Sequence, residues 1–171
     1  MTEEDRIQQK IDAIDPDVKG ERVHEVFENI STDYDKMNDI ISAGRQLEWK
    51  DRLLEEVFRF RPARLLDLCC GTGDMSLRYA SLDGSAQIIG MDFSAAMLSV
   101  AAERLALTDL TNITFIEGDA MSMPFDDDSF DTALISFGLR NVGDYRRVID
   151  EMARVVRPGG KVFCIDSFQP E

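Results

Sequence analysis

Three acidic residues accompany three apolar runs: Asp67 in "LLDLCCGTGD", Asp92 closing "AQIIGMD" and Asp119 closing "ITFIEGD". A glycine turn from Cys70 to Asp74, with Gly71 and Gly73, follows the first run. Glycine permits tight turning and close approach of a ligand to the backbone. A dinucleotide fingerprint, G-x-G-x-x-G, would set a pyrophosphate on the N–H groups of such a turn and the helix it opens. Here the third glycine position is Ser76, and Asp74 at the helix start opposes phosphate. The turn therefore suits a ligand with a cationic group and no pyrophosphate.

Asp92 lies 21 residues after Gly71, close to the roughly 20-residue spacing at which an acid accepts both hydroxyls of a ribose. Asp119 ends the third run, where an adenine would lie. S-adenosyl-L-methionine, with its amino group, sulfonium and free ribose diol, fits this pattern. Three strand-terminal acids together are more specific than one G-x-G; at any single position the competing reading is an acid that caps a turn. Cys69 and Cys70 would face opposite sides of an extended strand. They lack the spacing of a zinc site, so no metal is expected. His24 is the only histidine, which leaves a Cys-His pair dependent on a distant residue. Small core residues are the expected role of both thiols.

The elements that must carry these residues follow from periodicity. From 21 to 60 the pattern is helical, with Val23, Val26, Phe27 and Ile30 in one stretch and Trp49, Leu53, Leu54, Val57 and Phe58 in another. Gly44 is the expected break between them. After Pro62 strands and helices alternate: strands at "ARLLDLC", "AQIIGMD", "ITFIEGD", "FDTALISF" and "KVFCIDSF", and helices over 74–82, 94–107 and 144–156, the last stopping at "RPGG". Ser94 is the expected N-cap of the second of these helices. Such alternation indicates parallel βαβ units in an α/β fold, with ligands at the carboxyl ends of the strands.

Composition limits the partners. The 171 residues suit one domain. A formal charge of −14 repels phosphate backbones and anionic lipid, so nucleic acid is a poor substrate. No apolar run approaches the roughly 20 residues of a bilayer span, and the charged N-terminus has no hydrophobic signal segment. The expectation is a cytoplasmic protein, and the odd cysteine count (Cys69, Cys70, Cys164) argues against a disulfide framework.

The quoted runs "LLDLCCGTGDMS", "GMDFSAAML", "GDAMSMPFDDDSFD" and "RVVRPGGKV" resemble the successive motifs of class I S-adenosylmethionine-dependent methyltransferases. "ISFGLRNVGDYRRVIDEMARVVRPGG" and the earlier "YDKMNDIIS" narrow the resemblance to the ubiquinone/menaquinone biosynthesis C-methyltransferases of the UbiE or MenG type, from about Val23 to Pro170. The resemblance implies a Rossmann-like, mostly parallel sheet with helices on both faces. It implies a helical lid over 1–60 and a cofactor-binding domain over 61–171. It implies cofactor contacts from Asp67, Gly71, Thr72, Gly73, Asp92, Asp119, Ala120 and Ser136.

The implied reaction is methyl transfer to a ring carbon of demethylmenaquinol or a related, lipid-tailed quinol, with transient contact at a membrane surface. The sulfonium methyl is already electrophilic, so alignment is the enzyme's main task. Arg140 and Asn141, after the fourth strand, are the expected catalytic pair, with Arg140 stabilising a phenolate or polarising a water. Tyr34 and Asp35 would close over the pocket, and Tyr34 is the third expected catalytic residue. Two departures touch the substrate side. Gln46 stands where the family usually has His, and "IDSF" replaces Leu-Glu-Phe-Ser. The family also continues through a further helix and two strands. The chain is therefore expected to be a shortened piece of a longer enzyme or a naturally short one, self-associating through the open edge of its fifth strand. The competing functions are a class I methyltransferase for another small molecule and a non-catalytic cofactor-binding scaffold.

Overall fold

A computed structural model describes residues 45–166. Tyr34, Asp35 and His24, with Gly44 and the stretch before it expected to be helical, lie outside the described residues. Five strands, β1 (Arg64–Leu68), β2 (Gln87–Asp92), β3 (Ile113–Glu117), β4 (Phe130–Ser136) and β5 (Val156–Ile165), form one sheet in the order β3-β2-β1-β4-β5. Every neighbouring pair is parallel. The chain moves outward from β1 to β3, then returns to the other side of β1 with β4. The order thus reverses between β1 and β4, where doubly wound sheets bind ligands.

Among the described residues four α-helices cover the sheet: α1 (Arg45–Phe60), α2 (Asp74–Leu82), α3 (Ala95–Ala106) and α4 (Tyr145–Val155). Strand alternation sorts the core into two layers. Leu65 and Leu134 pack with Leu53, Leu54 and Val57 of α1 and with Met75 and Tyr79 of α2. Leu66, Leu68, Ala133 and Ile135 turn the other way, against Val148, Met152 and Val155 of α4. Central strands buried on both faces read as near-continuous apolar runs, as β1 and β4 do. Helices on both faces of a parallel sheet are the expected Rossmann-like architecture.

Local chemistry sets the helix starts. The Ser94 hydroxyl accepts the Met97 N–H at 3.2 Å, capping α3 as expected. Asp144 caps α4 by accepting the N–H groups of Arg146 (3.0 Å) and Arg147 (3.2 Å). The apolar stripe of α1 is part of the core layer, and its polar face is latched to α2 by Lys50–Asp74 at 3.0 Å and by Arg78–Asp51. From α4, Arg154 reaches the carbonyls of Met123 (3.2 Å) and Phe125 (2.8 Å) and holds the connection between β3 and β4. The guanidinium also pulls the Glu151 carboxyl down to about 2.

Three sequence expectations are corrected. β1 ends at Leu68, and Cys69 has φ 54, so the two cysteines are not in extended strand. β3 ends at Glu117, which places Asp119 in the following turn. β5 begins at Val156 rather than after "RPGG". Phe130 pairs with Val156 and Thr132 already with Lys161, so the Pro-Gly-Gly segment is a bulge within the strand. Gly159 takes φ 81 there, and Gly160 presses so closely on the Asp131 carbonyl that a Cβ would lie 2.6 Å from it.

Candidate functional site

The carboxyl ends of β1, β2 and β4 bring the expected residues to one edge of the sheet. At β1, the Cys70 N–H donates to the Met91 carbonyl (3.1 Å) and the Gly73 N–H to the Cys70 carbonyl (2.9 Å), which closes the turn. Gly71 and Gly73 have φ of 55° and 77°, in the left-handed region that favours glycine. A Cβ at Gly71 would meet nothing within 4 Å, so the space above the turn is open. At Gly73 it would lie 2.6 Å from Phe115 Cζ and 3.1 Å from Ala101 Cβ, so that glycine serves packing.

Asp92, at the end of β2, organises this turn. Its Oδ2 accepts the Gly71 N–H at 2.8 Å and its Oδ1 accepts the Ser94 N–H at 3.0 Å. A carboxylate has about four lone-pair sites, so it can hold the backbone and still accept ribose hydroxyls. Asp67 is buried at the end of β1 and accepts the Ser76 hydroxyl at 2.6 Å. Burial raises its carboxyl to about 7, and the neighbouring Asp74 adds to that. The third glycine position of a dinucleotide loop is thus occupied by a serine with a job on Asp67.

Asp74 does not present its charge to the turn as expected. It pairs with Lys50 at 3.0 Å, with Arg104 Nη2 at 3.9 Å and with Arg78 Nη1 at 4.0 Å. The preference for a cationic ligand therefore rests on Asp67 and Asp92. Thr72 is buried, and its carbonyl and hydroxyl accept Arg104 Nη1 at 3.2 and 2.9 Å. Arg104, on α3, thus ties down the turn, a role absent from the sequence reading. Asp119 is exposed and accepts the Met121 N–H at 2.8 Å, as an acid capping a turn does. Ala120 is buried in the α4 layer.

Across the switch point, Ser136 ends β4, and a 3₁₀ turn, Leu139–Asn141, follows. The Ser136 hydroxyl and the Asn141 Oδ1 are buried without a hydrogen-bond partner among the described residues. Buried polar atoms are normally satisfied, so such a pair at a ligand edge calls for a guest or a water. Phe137, between them, has φ 58. Cys69 and Phe137 are thus left-handed non-glycine residues following the two strands that flank the switch, a backbone cost of the kind held at functional sites. The two segments touch: a Cβ on Gly138 would lie 2.5 Å from Cys69 Cβ.

Arg140 is not a solvated loop arginine. Its Nη1 donates to Asp166 Oδ1 at 3.0 Å and its backbone N–H to Asp166 Oδ2 at 2.9 Å. Its guanidinium carbon is 5.8 Å from the centre of the Phe137 ring, which in turn lies 6.4 Å from the ring of Trp49 on α1. Asp166, Phe137 and Trp49 were not assigned to the site from sequence. An acid closing the fifth apolar run, as acids accompany the first three, was the available signal for Asp166. Burial drives the thiols of Cys69 and Cys70 well above the usual range, with Asp67 and Asp92 adding to it. Neither is a thiolate nucleophile.

The raised carboxyl of Asp67 makes stability depend on pH. In the folded chain it keeps its proton up to about pH 7, against 3.8 ordinarily. The folded state binds the extra proton between those values, so this contribution is complete below the ordinary pKa and is lost as pH rises through about 7. Asp67→Asn is therefore expected to lose less thermal stability than the parent chain between about pH 5 and pH 8. Parallel melting curves for the two proteins across that range would contradict the assignment.

The family model described as the ubiE/COQ5 methyltransferase family matches residues 16–171. The demethylmenaquinone methyltransferase of Oceanobacillus iheyensis is 46% identical over 156 residues, 91% of this chain and 66% of that protein. The chain spans about two thirds of the length of the curated relatives it matches. Among solved structures, the YcgJ protein from Bacillus subtilis aligns with a TM-score of 0.60 at 32% identity, covering 64% of this chain and 46% of that one. The [4+2]-cyclase SpnF aligns with a TM-score of 0.56 at 38% identity, covering 58% of this chain and 37% of that one. A cyclase among the neighbours shows that this fold does not by itself dictate the reaction.

Proposed function

The chain belongs to the ubiE/COQ5 methyltransferase family, and from that premise we propose that it binds S-adenosyl-L-methionine and methylates a ring carbon of demethylmenaquinol or a related quinol. One observation supports the cofactor most directly. A buried acid, Asp67, stands near the end of the strand that leads into an open glycine turn and has a serine hydroxyl as its partner. A cationic ligand there offsets the cost of burying that charge. In this reading Asp92 accepts the ribose hydroxyls, the Gly71–Gly73 turn with Thr72 holds the amino-acid end, and Asp119 and Ala120 border the adenine. Ser136, ending β4, and Asn141, in the turn after it, would border the transferring group, and their buried Oγ and Oδ1 have no partner among the described residues.

When bound, the cofactor supplies an electrophilic methyl group. The chain's task is to make a ring carbon nucleophilic and to align it. Arg140 stabilises the phenolate that forms when the neighbouring hydroxyl gives its proton to solvent water, and Asn141 fixes the ring by hydrogen bonding. The residues before α1, with Tyr34 and Asp35, close over the site as a lid, while α1 itself is part of the packed core. The lipid-tailed substrate would be met at a membrane surface; no helix among the described residues is long and apolar enough to cross a membrane. Self-association is proposed along the outer edge of β5, where Val162 and Cys164 are exposed.

Calorimetric titration with S-adenosyl-L-methionine and S-adenosylhomocysteine tests the binding half. Saturable one-site binding is expected. A cation beside Asp67 favours its charged form, so binding near pH 6 should release a proton, visible as a heat that depends on the buffer. Transfer of labelled methyl to demethylmenaquinol tests the reaction. Arg140→Ala should leave cofactor affinity within about threefold and lower turnover roughly ten- to a hundredfold. Normal turnover would remove Arg140 from the mechanism.

A further inference from the structure

We propose that Asp166 is a positioning residue, holding Arg140 in one orientation at the carboxyl end of β4. This rests on the reading that Arg140 acts on the acceptor. One carboxylate engages the same arginine twice, Oδ2 through the backbone N–H at 2.9 Å and Oδ1 through Nη1 at 3.0 Å. The Asp166 side chain is fully buried, and that of Arg140 is 17% exposed. Next to the pair, the Phe137 N–H donates to the Ile165 carbonyl at 2.8 Å, which carries the β4–β5 pairing to the residue before Asp166. The Phe137 ring bounds the guanidinium on another side, and Trp49 backs the ring.

A buried ion pair is weak evidence for stability, because desolvation consumes much of the attraction. Its distinctive effect here is geometric. The left-handed backbone at Phe137 turns the chain back toward β5, and Asp166 then fixes both the main chain and the side chain of Arg140. An arginine that stabilises developing charge works only if it stands in place before the reaction. Asparagine at 166 keeps an acceptor for the backbone N–H and loses the charge that attracts the guanidinium. Glutamate keeps the charge on a longer arm.

Nitrogen-15 spectra of the arginine side chains in the full chain, with Arg140 assigned by its loss in Arg140→Lys, read the restraint without any turnover. Parent Arg140 is expected to give separate, slowly exchanging Nη signals. They should merge in Asp166→Asn and return in part in Asp166→Glu. In the methyl-transfer assay, Asp166→Asn should lower kcat about tenfold, with acceptor KM and cofactor Kd within about twofold. Merged signals in the parent chain, which need no variant to fold, overturn the proposal. So does a loss of kcat that arrives together with equal losses of cofactor affinity and melting temperature, because that marks a merely structural residue. If the parent chain transfers no methyl to demethylmenaquinol, the functional reading fails, while the spectra still decide whether Asp166 restrains Arg140.

Discussion

Asp92→Ala is expected to abolish measurable cofactor binding. The carboxylate accepts two backbone N–H groups, Gly71 at 2.8 Å and Ser94 at 3.0 Å, one at the glycine turn and one at the start of α3. Alanine leaves both donors without this acceptor and removes the group proposed to take the ribose hydroxyls. Charge-assisted hydrogen bonds contribute about 1.5–3 kcal/mol each. Loss of two to a ligand is therefore about a hundredfold to ten-thousandfold in affinity at about 1.4 kcal/mol per decade. The loosened turn adds to the loss, so a thousandfold weakening or more is the central expectation. Asp92→Asn, which keeps one acceptor oxygen, should fall between. Titration of the three proteins under one condition decides it, and alanine affinity within about threefold of the parent would sink the ribose assignment.

Gly73→Ala is expected to damage folding more than any other single methyl at the site. Two penalties coincide there. The residue has φ 77, where a side chain is strained, and its new Cβ would lie 2.6 Å from the Phe115 ring and 3.1 Å from Ala101. The same edge of that ring also rests on Gly90, where a Cβ would be 2.6 Å away, so the ring already fills the gap between turn and strand. Left-handed backbone costs an alanine about 1–2 kcal/mol, and overpacking about 1–3 kcal/mol more. Together they predict a loss of roughly 2–5 kcal/mol and a fall in Tm of about 5–15 °C. Gly71→Ala is the control: its φ is also positive, but nothing crowds its Cβ, so it should lose the strain part alone. Equal melting temperatures for the two variants would show that the Phe115 contact does not matter.

The elements were legible where one local signal dominated. The apolar runs place β1, β2 and β4 to within a residue or two, and α2 spans Asp74–Leu82 as the periodicity predicts. Ser94 caps α3 because its hydroxyl meets the expected N–H. Misreadings arose where tertiary pairing overrode a local cue. Pro158, Gly159 and Gly160 read as a helix stop ahead of the strand, yet pairing of Val156 with Phe130 draws them into β5 as a bulge. The site was legible as a row of acids, and Asp67 and Asp92 stand where the row requires. Arg104 on Thr72 and Asp166 on Arg140 were not legible, since each joins residues 32 and 26 positions apart through a strand order that one sequence does not reveal. The role of Asp74 was misjudged for the same reason: its cations come from α1, α2 and α3.

The contact between Cys69 and Gly138 has a dynamic consequence. The loops after β1 and β4 meet backbone to side chain at the reversal of the sheet, too closely for a Cβ at Gly138. The two halves of the sheet are also joined there by the pairing of Leu65–Leu68 with Thr132–Ile135, so this floor of the site is built into the sheet rather than assembled around a ligand. A guest then spends little ordering it. The amides of Gly71 and Gly73 should exchange with solvent deuterium as slowly as core-strand amides rather than as a loop does.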